Sequence, residues 1–167
     1  MLLRKTSLIW WPVVLFLKPV TRYESCLLSN PGGDITMTET LAAWTPRALS
    51  ILRIITGLLI IQHGMAKIIG FPALPMFANL QPFSLVGSAG IIELIGGALL
   101  ILGLCTRPVA FVLAGEMAFA YFIGHFPKGF LPLINGGTLA ILYCFTCLYL
   151  STAGAGPWSV DAKNKQA

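Results

Sequence analysis

Apolar positions in this chain come in long unbroken runs, not at the spacing that would leave one face of a helix or strand for water. The clearest run is Leu85 to Leu104, LVGSAGIIELIGGALLILGL, apolar or small apart from Glu93 near its middle. About 20 such residues, rising 1.5 Å each, cross a hydrocarbon layer of roughly 30 Å. Four runs of this kind are predicted to span a membrane as helices: Ala48 to Ile69, Ser84 to Leu104, Val109 to Gly124 and Leu131 to Ser151. Each has a proline suited to the first turn of a helix at or just before its start, at Pro46, Pro82, Pro108 and Pro132. The expected fold is all-α, a membrane-embedded four-helix bundle. Arg47, Arg53, Arg107, Lys163 and Lys165 fall toward one face, against Lys67 and Lys128 toward the other. The positive-inside rule then puts both the N and C termini in the cytoplasm, with Trp44 and Trp158 at that interface.

The flanks read differently. Residues 1–36 carry a short apolar run, Leu8 to Leu17, broken by Pro12 and too short to span. Asn30 to Thr36 is loop-like and Met37 opens a fresh polar stretch. The expected organisation is therefore a non-native or cleaved, disordered leader over 1–36 and a polar lead-in over 37–47. The membrane domain follows over 48–161, with a mobile polar tail over 162–167.

Composition narrows the function classes. With 56% apolar and 10% charged residues, the chain is no soluble domain. Its net charge of +5 comes from scattered residues with no basic run, which argues against a nucleic-acid partner and for a lipid bilayer. Cys26, Cys105, Cys144 and Cys147 do not suggest a secreted disulfide framework.

The candidate chemistry lies in the few polar residues inside the predicted spans. A carboxylate at the bilayer centre costs at least ~2.5 kcal/mol, so Glu93 is expected to face protein and have a partner. Gly90, Glu93 and Gly97 share one helical face, where another backbone can approach. By depth, Arg53, Glu116, Glu93 and His63 form a ladder in which Arg53 reaches Glu116 or Glu93 and His63 shares Glu93. Lys67, four residues after His63, is expected near the outer rim with His125, Lys128 and Asn135. This set is either a buried ion network that fixes helix register or a site for a polar headgroup, small anion or proton. The CxxC at Cys144 and Cys147 reads first as packing inside an apolar helix, and no metal ligand set is expected.

The combination of QHGMAK at 62–67, IIELIGGALLILGLCTRP at 91–108, EMAFAYFIGHFPKGFLPLINGG at 116–137 and GAGPWSVD at 154–161 resembles the DoxX family of bacterial inner-membrane proteins. The resemblance implies a four-helix multi-pass protein of the bacterial inner (plasma) membrane. It also implies a redox-associated role linked to quinone, sulfur or oxidative stress, in which the chain is a non-catalytic or quinone-linked subunit beside a soluble oxidoreductase or sulfur-redox partner. Quinone is then the candidate cofactor, none is expected to be tightly bound, and a homo-oligomer is compatible. The matching positions are Arg53, His63, Gly64, Lys67, Glu93, Gly97, Arg107, His125, Lys128, Asn135, Trp158, Ser159 and Asp161. Thr138 departs from a glutamate common in relatives. The rival classes are a small transporter or permease, which would need discontinuous helices at mid-membrane, and a membrane scaffold without turnover.

Overall fold

A computed structural model describes residues 35–164. The leader expected over 1–36 and the end of the polar tail lie outside the described residues, apart from residues 35 and 36. The chain divides into two compact units, Met1–Ala42 and Ala43–Ala167. Of the first, the described part is the opening of helix α1. The second holds the rest of α1 and every later helix.

Helix α1 spans Ile35–Ile68, α2 Leu85–Leu102 and α3 Thr106–Phe119, the last continuing through a π-helical turn at Ala120–His125 and a 3-10 turn at Phe126–Lys128. A single helical turn, α4, covers Pro132–Asn135; α5 spans Thr138–Ala153 and α6 Val160–Asn164. Among the described residues, three helical stretches are long and apolar enough to cross a membrane: Glu39–Ile68, Leu85–Leu102 and Thr106–Lys128. The 16 residues of α5 rise only about 24 Å, less than the roughly 30 Å needed. The predicted fourth span is therefore broken. Gly136, at φ +73°, ends α4, and the helix restarts at Thr138. The first span also differs in its start, because Pro46 sits inside α1 and does not open it.

Distribution of polarity inverts that of a soluble protein. Ile55, Ile95, Phe111 and Phe145 are exposed, whereas Ser50, Arg53, Thr56, Glu93 and Asn135 are buried. In lipid this is the stable arrangement, since polar groups find partners only inside the protein. The helices meet through small residues, as association without a hydrophobic driving force requires. A methyl carbon at Gly64 would lie 2.5 Å from the Leu94 amide nitrogen, and one at Gly97 would lie 2.9 Å from that of Ile61. Helices α1 and α2 therefore touch backbone to backbone along the face that holds Glu93. Helices α3 and α5 pack through Ala110, Leu113, Ala114 and Met117 against Tyr143, Cys147 and Leu150, with Ile60 and Leu100 in the same core.

The turn from α2 to α3 is the tightest connection. Gly103, at φ +67°, closes α2 as its amide bonds Leu100 O and the Leu104 amide bonds Leu99 O, a Schellman ending. Cys105 follows at φ +49°, the one described non-glycine residue with positive φ. With no side-chain cap from Cys105, the first turn of α3 is capped from far along the chain. Asp161 accepts from the Cys105 and Thr106 amides, each at 2.8 Å. A carboxylate there also meets the positive end of the helix dipole.

Candidate functional site

Lys67 on α1 and Glu93 on α2 form the centre of the site. Lys67 Nζ lies 2.7 Å from both Glu93 carboxylate oxygens, with the two side chains 12% and 4% exposed. Backbone geometry explains the encounter. Side chains lean toward the N-terminus of their own helix, and α1 and α2 run in opposite directions. Lys67 thus leans into the bundle and Glu93 leans toward it. The lysine ammonium also lies 6.0 Å from the Phe77 ring centroid, so an aromatic from the connection between α1 and α2 covers it.

Around this pair stand groups whose polar atoms helix packing does not consume. His63, one turn before Lys67 on α1, is half-buried and meets the Tyr143 ring edge-on at 6.1 Å between centroids. Both carboxylate oxygens of Glu116 are buried and make no hydrogen bond among the described residues. Glu116 lies on α3, within electrostatic range of Glu93 and Lys67. One cation, two carboxylates and an imidazole are thus supplied by α1, α2 and α3, with the Tyr143 ring of α5 against the imidazole. Such a set can hold a polar headgroup by hydrogen bonds and exchange a proton with it.

Arg53 does not join them. It is fully buried, and its guanidinium donates to backbone carbonyls only: Nε to Ala155 at 2.8 Å, Nη1 to Leu100 and to Ile101 at 2.8 Å, and Nη2 to Trp158 at 2.5 Å. Leu100 and Ile101 end α2, where carbonyls have no amide four residues on to accept from and the dipole is negative; the Leu100 carbonyl also takes the Gly103 amide. The expected ladder from Arg53 to Glu116 or Glu93 is accordingly replaced. A planar fork of donors finds its acceptors in a helix end, and the shorter reach to Glu93 belongs to Lys67.

The expected rim cluster also divides. His125 and Asn135 do come together, with His125 Nδ1 lying 3.1 Å from the Asn135 carbonyl, so that Nδ1 carries the proton. Asn135 is 5% exposed and donates to Gly129 O at 2.8 Å, while its side-chain oxygen accepts from the Gly137 amide at 2.7 Å. These bonds tie down the break between α4 and α5. Lys128 remains exposed, and Lys67 has turned inward. Among the described residues no three or more His, Cys, Asp or Glu side chains are grouped to hold a metal ion. Tyr143 and Cys147 were legible only as packing, and the role of Asp161 only as part of a closing pattern.

The sequence profile of the DoxX family matches residues 48–126. An uncharacterized protein of Haemophilus influenzae is 45% identical over 131 residues, covering 75% of this chain and 96% of that protein. An uncharacterized membrane protein of Mycobacterium tuberculosis is 26% identical over 141 residues, covering 71% of this chain and 82% of that protein. No solved structure matches the chain.

Proposed function

The chain belongs to the DoxX family, and on that premise we propose that it is a redox-associated subunit of the bacterial inner membrane whose intramembrane acid-base cluster receives a quinone headgroup. In this reading α4 and α5 together make the fourth crossing. Both termini are cytoplasmic, and electrons come from a soluble oxidoreductase or sulfur-redox partner. The observation that carries it is the buried Lys67–Glu93 pair beside a Glu116 carboxylate with no hydrogen-bond partner among the described residues. An ion pair that served register alone would need no second carboxylate next to it. A quinone carbonyl needs a donor, which Lys67 supplies, and its reduction needs protons, which Glu116 and His63 are placed to pass. The break at Gly136 favours a second reading, a small permease with a discontinuous helix, but it lies at one end of α5 and not at mid-membrane.

The test is binding of a short-chain ubiquinone to the purified protein in nanodiscs, measured by calorimetry. Wild type should bind, and Glu116→Gln should weaken binding by about tenfold with the melting temperature unchanged, the scale of one lost charged hydrogen bond. Absence of binding to wild type, or binding by Glu116→Gln and Lys67→Met as tight as that of wild type, would reject the quinone site. Uptake of a polar solute into proteoliposomes that depends on Glu116 would replace it with the permease reading.

A further inference from the structure

A cleft of about 450 Å³ opens at the other end of the helices, between the start of α3, the Gly154–Gly156 loop and α6. It is separate from the Lys67–Glu93 cluster and stands independently of the quinone reading. Its lining includes Thr106, Arg107, Gly154 and Asp161, with Cys105 at the mouth. The acid in it is already committed: Asp161 accepts from the Cys105 and Thr106 amides. The cation is not. Arg107 is exposed and, among the described residues, makes no salt bridge; its Nη2 and Nε hang over Gly154, where an added methyl would come within 3.4 Å and 3.6 Å. A second, independent sign of a missing partner is Thr106, fully buried in the lining, whose hydroxyl oxygen makes no hydrogen bond among the described residues.

We propose that this cleft binds a phosphate group, held by the planar guanidinium of Arg107 and the hydroxyl of Thr106. Arginine matches phosphate through paired N–H donors, and the volume lies within the usual range for a small ligand. The depth fits a headgroup. Trp158 is half-exposed near the cleft, and the exposed Trp44 has the Arg47 guanidinium 5.1 Å over its ring, as indoles stand at the headgroup level. The phosphate has two sources, the headgroup of an anionic glycerophospholipid or a soluble phosphate, and the experiment separates them.

Full-length protein in maltoside detergent is mixed with phosphatidylglycerol or phosphatidylethanolamine and the retained lipid counted by native mass spectrometry. In parallel, lipid-free protein is treated with maleimide with and without inorganic phosphate, and labelling at Cys105 is read by peptide mass spectrometry. A lipid source predicts retention of phosphatidylglycerol about tenfold above phosphatidylethanolamine. That advantage should be lost in Arg107→Gln, reduced severalfold in Thr106→Val and kept in Arg47→Gln. A soluble source predicts no lipid preference but slower Cys105 labelling in phosphate, abolished by Arg107→Gln. Melting temperature of each variant checks folding, and the labelling arm on wild type needs no variant. The proposal is overturned if phosphatidylglycerol is retained equally by wild type and Arg107→Gln while inorganic phosphate leaves Cys105 labelling of wild type unchanged. It is also overturned if Arg47→Gln loses as much lipid as Arg107→Gln.

Discussion

Two cations lie about 21 Å apart along α1, roughly four turns of the same helix, and burial is solved differently at each. Arg53 hydrogen-bonds main-chain carbonyls, with the end of α2 and the α5–α6 connection converging on one guanidinium. Lys67 meets a carboxylate, Glu93, through two contacts of 2.7 Å. The first arrangement uses every face of a rigid fork and leaves no room for a ligand. The second uses a flexible point charge and leaves donors and acceptors beside it, in Glu116, His63 and Tyr143. In a membrane, then, a buried charge is not by itself a sign of chemistry. What separates a brace from a site is whether its neighbours' polar atoms are all consumed.

The contrast can be broken by exchange. Arg53→Ala should give the largest loss, about 4 kcal/mol or more, because several buried carbonyls lose a charged donor at once. Arg53→Lys should lose most of that, since an ammonium cannot reach the same acceptors. Lys67→Arg should cost under about 1 kcal/mol, since the charge partner remains. Thermal unfolding in detergent checks all three, and equal losses for Arg53→Lys and Lys67→Arg would abolish the distinction. Next in size, Lys67→Met should destabilise by about 3 kcal/mol by stranding Glu93, and adding Glu93→Leu should recover most of it. If the double variant is no better than the single, the pair is not coupled. A small effect, comparable to that of Lys67→Arg, is expected at Asp161→Asn, about 1 kcal/mol, from the lost charge at the α3 N-terminus. Hydrogen exchange should then rise at Cys105 and Thr106 and stay unchanged at Lys67.

Most of the fold was legible because bilayer thickness fixes what an apolar run must do. The predicted second span, Ser84 to Leu104, differs from α2 by little more than its caps, since Ser84 accepts from the Gly87 amide and Gly103 closes the end. Glycines around Glu93 correctly announced a close helix neighbour. The choice of partner for Glu93 was not legible. Depth measured along the backbone puts Lys67 at the rim, whereas side-chain lean and a four-carbon stem bring its charge inward. Arg53 was misplaced for a related reason. Sequence displays charged side chains but hides the carbonyls at a helix end, which act as a partial negative charge with no letter of their own. The break after Asn135 was hidden too, because the apolar pattern of Leu131 to Ser151 continues across Gly136 and Gly137.

The reach of Arg53 across 102 and 105 residues has a bearing on biogenesis. The ribosome delivers this arginine with the first crossing and its acceptors at Ala155 and Trp158 only after the last. During that interval only the Leu100 and Ile101 carbonyls at the end of α2 are available to it, and its set of acceptors is incomplete until the closing segment arrives. A product that stops short of the closing segment would therefore lack the carbonyls that Nε and Nη2 use and leave this buried charge only partly satisfied.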